Sequence, residues 1–227
     1  FYRSNPYFCL EQRASAYMAA LTSGEMLSSL AEPPAGKSGY DFGRIEGLFL
    51  NNLAEFQNKD GGFRVWKDSR PRSDPYLTAY ITFVLQSADE VRDGKPKYDR
   101  RIRTKAINYL QNYVKKPPRD GFRYVLETMA FIHHVMVRDD AGDDGLEKFL
   151  LEHETKLSLR ARAHLALALA EERSIQNFAA DANTKRIIEY LRNRMEFTTR
   201  RVSFKEPHRG SYTRAYYAPG STMGVIL

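Results

Sequence analysis

The chain has one cysteine, Cys9, so no disulfide can form within it and a fold stapled by cystines is excluded. That lone thiol must be inert or chemically used. No stretch reaches the roughly 18 to 20 continuous apolar residues that a membrane span needs, so direct insertion into a bilayer is not expected. There is no basic block either. The 35 lysines and arginines are mixed with 28 acidic residues, and the net charge of +7 reads as a solvated surface, not a nucleic-acid face. With a single Cys and no cluster of His and carboxylates at ligand spacing, a zinc site is not expected, and nothing calls for another cofactor. The chain opens on Phe1, without an initiator methionine or signal peptide, and stops inside the apolar run Gly224-Val225-Ile226-Leu227. It is expected to be a piece excised from a longer protein.

What is present is helix. The 227 residues, 42% hydrophobic and 28% charged, suffice for one large core, and a single domain spanning 1–227 is expected. Strand signals are weak, while apolar residues recur at helical spacing. Ile45, Leu48, Phe49, Leu53 and Phe56 form one stripe; Tyr76, Leu77, Tyr80, Ile81, Val84, Leu85 and Ala88 form a broader one. The second opens on Asp74, a good N-cap, with Pro75 at the first helical position, where a missing N–H costs least. Further helices are expected near 11–30, 101–114, 123–138, 143–153, 157–172 and 183–196. Their faces alternate: narrow in 102–114, broad in 125–137, narrow in 146–151, broad in 159–170. Concentric outer and inner helices would produce that pattern, because inner helices touch neighbours on both sides. The segments 57–63 and 115–122 resemble each other, each placing Asp-Gly and then an aromatic between an outer and an inner helix. The fold expected is all-α, built of helical hairpins around an axis. The Gly- and Pro-rich stretch 31–43 reads as a long connection within it.

Cys9 lies at the entry of the first expected helix and Gln12 follows one turn later. Side chains three apart on a helix share a face at about 5 to 6 Å between Cβ atoms, so the thiol can reach the amide. Helix N-termini favour negative charge and hence a thiolate. Attack on the Gln12 carbonyl with loss of ammonia would leave a Cys–Gln thioester, an activated acyl group open to displacement by a lysine amine or a hydroxyl. Such a bond must be kept dry until used. Tyr7 and Phe8, and Tyr17 or Met18 on the helix, could supply cover, although ordinary core positions are the simpler reading. By spacing alone, Cys-x-x-Gln also fits a small buried core cysteine.

The wider context is more specific. The run Asn5-Pro6-Tyr7-Phe8-Cys9-Leu10-Glu11-Gln12 resembles the thioester motif of the alpha-2-macroglobulin and complement family, in the Cys-Leu-Glu-Gln form of its bacterial branch. Gly61-Gly62-Phe63-Arg64-Val65-Trp66 with Ser73-Asp74-Pro75-Tyr76-Leu77-Thr78-Ala79-Tyr80 is similar to the same family's helix-opening signature. Tyr216-Tyr217-Ala218-Pro219-Gly220-Ser221-Thr222 looks like the approach to the last inner helix. The resemblance implies an α/α toroid, C-terminally incomplete here: the thioester-containing domain of a protein otherwise built of β-sandwich modules. It makes Cys9 the thiol and Gln12 the acyl donor, with Glu11 as the motif's acid and Tyr7 and Phe8 as motif support. Phe8 departs from the small residue usual before the Cys.

Complement-type members redirect transfer to hydroxyls through a His from a later loop. The comparable stretch, Asp120-Gly121-Phe122-Arg123-Tyr124, has none, and His133 and His134 read as core residues of an apolar helix. Direct aminolysis by lysine is therefore expected. The implied function is a covalent trap within a broad-spectrum endopeptidase inhibitor, not an enzyme. Its partners would be attacking proteases, held through Lys side chains, and the neighbouring domains of the parent chain. A bacterial member would face the periplasm or the exterior, with any membrane anchor outside this stretch. Two enzymatic alternatives stand beside this reading: a cysteine hydrolase using Cys9 with a His base, and a terpenoid-cyclase or prenyltransferase on the same toroid. The acidic pairs Asp139-Asp140 and Asp143-Asp144 read more simply as a solvated loop.

Overall fold

A computed structural model describes residues 9–29, 42–68, 72–116, 122–172, 181–197 and 202–204. Among these the regular structure is helical, apart from one small pair of strands and two isolated bridges. The helices are α1 (Leu10–Ser29), α2 (Phe42–Leu50), α3 (Pro75–Val91), α4 (Arg100–Lys115), α5 (Phe122–Val137), α6 (Asp144–Glu152), α7 (Leu159–Glu172) and α8 (Ala182–Arg192). Contacts divide the chain into two compact units, Phe1–Leu110 and Gln111–Leu227.

In the first unit α1 packs on α2 and α3. Leu10, Ala14, Tyr17 and Leu21, spaced four, three and four apart, give α1 one buried stripe, which meets Phe49 and Leu50 of α2 and Leu77, Ile81, Val84 and Leu85 of α3. The start of α3 is built as its sequence predicts: the Asp74 side chain accepts the Leu77 N–H at 2.8 Å and Pro75 fills the first turn. The helix stops where Asp93 (φ 51°) and Gly94 (φ 73°) turn left-handed and the Gly94 N–H closes on the Asp89 carbonyl.

In the second unit the expected alternation of faces is present. Every residue from Val125 to Val137 of α5 is buried, and α7 is buried over most of its circumference, whereas α6 buries Leu146 and Leu150 and α8 buries Thr184, Ile187 and Leu191. Broad helices pair with each other and narrow ones flank them: α5 packs on α7 and α6, and α7 on α8. Asp143 and Asp181 cap α6 and α8 by accepting the Leu146 and Thr184 N–H groups at 2.8 and 2.7 Å.

Two expectations need correction. The stripe from Ile45 to Phe56 is not one helix. It breaks at Asn51-Asn52, two poor helix formers in succession, and resumes as a 3-10 turn over Leu53–Phe56; Leu48 is 40% exposed. The helix expected over 183–196 ends at Arg192, and Met195–Phe197 (β1) pairs antiparallel with Val202–Phe204 (β2) in the register Met195↔Phe204. Apolar residues alternate in both segments, a period of two that suits strands and not a helix. The stretch 31–41, the repeat segment 117–121, and Tyr216 to Thr222 lie outside the described residues.

Candidate functional site

The site is built from a loop outward. Between the 3-10 turn and α3, Phe63 makes antiparallel bridges to Gln57 on one side and Asp74 on the other, and its fully buried ring plugs the core. Its N–H donates to Thr78 Oγ1 at 2.9 Å. The two glycines before it are sterically required. Gly61 has φ +91°, and a Cβ there would stand 2.2 Å from the Lys105 carbonyl oxygen; a Cβ on Gly62 would meet Ser73 Cβ at 2.4 Å. Asp60 stitches the turn by accepting from the Gly62 N–H and the Ser73 hydroxyl. The Gly-Gly-Phe and Ser-Asp-Pro segments, separated in the sequence by residues 64–72, are thus one physical device.

That loop carries Val65, whose carbonyl accepts the Leu10 N–H at 3.0 Å. The first residue of α1 is therefore fastened to the loop by an N–H that a helix start leaves without an intrahelical acceptor. Cys9 precedes it as the N-cap, its carbonyl accepting the Arg13 N–H at 3.2 Å. Gln12, at the third helical position, turns its side chain back so that Oε1 accepts the Cys9 N–H at 3.2 Å. This is the returning half of a capping box, with Gln at N3. Cys9 is buried at 8% exposure, and Glu11 and Gln12 are exposed. The Gln12 amide is thereby held on the backbone of the residue that bears the thiol. Arg13 steadies the same turn: its Nη1 donates to the Leu48 carbonyl and its guanidinium lies over the Phe56 ring.

Further along α1, Tyr17 is wholly buried against Phe49 and Phe42, so it serves the core. Its hydroxyl donates to Glu46 Oε1 at 3.2 Å and accepts from Arg92, which also pairs with Glu46, while Lys97 reaches Glu46 Oε2 at 2.9 Å. Burial raises the Tyr17 phenol above its ordinary value, opposed by the Arg92 hydrogen bond and charge. Met18 is partly buried against the same core. Tyr7 and Phe8 lie outside the described residues.

Sequence reasoning missed a second contact on α1. Ser15, one turn beyond Glu11, lies 2.9 Å from the Tyr80 hydroxyl of α3. Burial raises the Tyr80 phenol, the Ser15 bond opposes this, and the charges of Tyr76 and Glu11 add to it. Nothing in the sequence marks Tyr80 as the partner of Ser15.

The second unit holds a buried histidine pair, His134 Nδ1 to His164 Nδ1 at 3.1 Å, with His134 Nε2 3.5 Å from Glu171. Desolvation, then the charges of His134 and Arg160, lower His164 well below its ordinary value. Both His133 and His134 are buried in α5, as their apolar context predicts. Among the described residues no three or more His, Cys, Asp or Glu side chains gather at metal-binding spacing, and no helix is long and apolar enough to cross a membrane.

No protein-family model and no curated protein sequence matches the chain. Solved structures do. The fold is similar to Salmonella alpha-2-macroglobulin reacted with methylamine, at 20% identity and a TM-score of 0.65, over 87% of this chain and 13% of that one. It is similar to trypsin-activated alpha-2-macroglobulin from Escherichia coli, at 20% identity and a TM-score of 0.63, over 82% of this chain and 13% of that one. A native Escherichia coli structure running from domain MG7 to the C-terminus matches at 20% identity and a TM-score of 0.62, over 83% of this chain and 29% of that one. The chain thus spans a small part of each. At these identities the likeness is one of fold.

Proposed function

We propose that residues 1–227 are the thioester-containing domain of a bacterial alpha-2-macroglobulin, and that Cys9 and Gln12 form its internal thioester. The observation that carries this reading is the hydrogen bond from the Cys9 N–H to Gln12 Oε1, which holds thiol-bearing and amide-bearing residues together in one helical turn. In bond formation the Cys9 sulfur attacks the Gln12 side-chain carbonyl carbon, a C–S bond forms, and the C–N bond breaks as ammonia leaves with the thiol proton. Negative charge builds on Oε1 during the attack, where the Cys9 N–H already points. Transfer to a target reverses the polarity of the site. An amine nitrogen bonds to the same carbon, the C–S electron pair returns to sulfur, and the nitrogen's proton neutralises the thiolate.

The acceptor on this reading is a lysine of an attacking protease, and the outcome is covalent capture instead of turnover. The states of the similar structures, one reacted with methylamine and others activated by trypsin or elastase, are compatible with amine chemistry linked to proteolysis in those proteins. The toroid implied by the resemblance and a periplasmic or extracellular setting belong to the same proposal.

Intact-mass measurement of the native protein tests it. The chain should be lighter by one ammonia than its sequence, and methylamine should add its own mass while freeing the Cys9 thiol. Cys9→Ala should abolish capture while the helical circular dichroism is unchanged. A native mass equal to that of the sequence, with a freely titrating thiol, would refute the proposal.

A further inference from the structure

The second unit places polar side chains where its two broadly buried helices meet. Helices α5 and α7 pack through apolar surface, yet three polar links cross between them. Arg160 stands 3.7 Å from Glu127, His164 Nδ1 is 3.1 Å from His134 Nδ1, and Arg138 is 3.6 Å from Glu171. The links advance together, from Glu127 to Arg138 at the end of α5 and from Arg160 to Glu171 on α7, so the two helices run parallel with this seam between them. The outer two links are ion pairs whose charges cancel. The middle one differs, because both histidines are buried and the His164 ring packs on Phe131 with centroids 4.7 Å apart.

A 3.1 Å approach of two ring nitrogens leaves room for one hydrogen between them, so one Nδ1 donates and the other accepts. Glu171 lies 3.5 Å from His134 Nε2 and calls for a hydrogen there, which leaves His134 Nδ1 to accept from His164 when both rings are neutral. One added proton can still be accommodated, with a single hydrogen in the same line. Two charged rings cannot: each carries an Nδ1–H, the hydrogens collide, and the like charges repel away from water. We propose that the His134–His164 contact is an acid-operated latch, which holds α5 to α7 at neutral pH and releases them when both rings are protonated. Burial, then the charges of His134 and Arg160, resist charge on His164, so the second proton is taken up with the pair apart. The surrounding charges do not offset it. Glu171 answers one ring charge and is shared with Arg138. On α5, Glu127 is engaged with Arg160, and buried His133 is turned by about 100° from His134. On α7, Arg162 is two residues from His164 and so faces another side, towards Glu154 and Tyr190, where α8 adds Arg186. Helix α6, which packs on α5, buries Leu146 and Leu150.

The test is amide hydrogen–deuterium exchange on the intact protein that carries this chain, at about pH 7.5 and about pH 5.5, one unit either side of the ordinary histidine value. Rates are corrected for the intrinsic pH dependence of exchange. Amides of 125–137 and 159–172 should lose about tenfold in protection, the effect of one extra proton in the open form over one pH unit, while those of α3 hold theirs. The double variant His134→Asn with His164→Asn sets an amide donor against an amide acceptor and does not titrate, so its α5 and α7 should show no such acid loss. In the wild type, slow deuteration of the ring Cε1 positions, read by mass, follows the protonation of each ring without any variant. Both rings should become charged as protection falls. Rings that become charged with α5 and α7 still protected would overturn the latch. So would wild-type protection in α5 and α7 that falls no more than in α3, or an equal acid loss in the double variant. Cys9 and Gln12 belong to the first unit, so a failed latch leaves the thioester reading standing.

Discussion

Gly61→Ala should be among the most damaging single-methyl additions in the first unit. The new Cβ would lie 2.2 Å from the Lys105 carbonyl oxygen and 2.8 Å from its carbonyl carbon, at least about 1 Å inside van der Waals contact. Both atoms belong to the backbone of α4, so no side chain can swing aside. The required φ of +91° adds about 1–2 kcal/mol for any residue with a Cβ, and forcing loop and helix apart in a close-packed interior adds about 1–3 kcal/mol. The sum, about 2–5 kcal/mol, is a large share of the roughly 5–15 kcal/mol that holds a typical domain together. Gly94→Ala is the control. Its φ is +73°, but nothing lies within 4 Å of the added methyl, so only the conformational cost of about 1 kcal/mol applies. Urea midpoints followed by far-ultraviolet circular dichroism, with the slopes compared, separate the two. A Gly61→Ala protein no less stable than Gly94→Ala would refute the steric argument.

Removing Glu46 strands the Arg92 guanidinium beside the Tyr17 hydroxyl in the interior, so Glu46→Ala should cost about 3 kcal/mol. The double variant with Arg92→Met should cost less than Glu46→Ala alone, and a larger cost in a denaturation cycle would contradict the account. His164 supplies a pH dependence. Desolvation, with His134 and Arg160, lowers its folded value below the ordinary 6.5, so the unfolded chain takes up the proton first. Its contribution to stability is complete above about pH 6.5 and is lost as pH falls below that, by up to about 1.4 kcal/mol per pH unit. His164→Leu should flatten the stability profile between about pH 6.5 and pH 5, and an unchanged slope would show that other groups set it.

The helices were legible where their signals are local. Asp74 and Pro75 mark the start of α3 through atoms within one turn of each other, and the broad apolar circumference of α5 reports its own burial. Legibility failed where the deciding partner is remote. The pairing of β1 depends on Val202 and Phe204 beyond the turn, whereas the break at Asn51-Asn52 was a local signal, two poor helix formers in succession, left unread. At the candidate site, one turn of helix was enough to join Cys9 to Gln12. The Val65 carbonyl under Leu10 could not be foreseen, because a carbonyl's availability is set by its loop, not by its side chain. The role of Gly61 was read as turn chemistry, whereas a positive φ and the close approach of α4 both demand it.

The backward-reaching Gln12 side chain gives the proposed trap a direction in time. A charged site that meets water ends with a glutamate at position 12, and one that meets an amine ends with a substituted glutamine. Either product has an oxygen free to accept the Cys9 N–H, as Gln12 Oε1 does here. The glutamate is the better of the two at the third position of a helix, where a negative charge adds about 0.3–1 kcal/mol against the backbone dipoles. Exhaustion by water therefore leaves a helix start firmer than the one it began with. On that proposal a site spent on water cannot be recharged by the same step, because the carboxylate left at position 12 has no ammonia to lose.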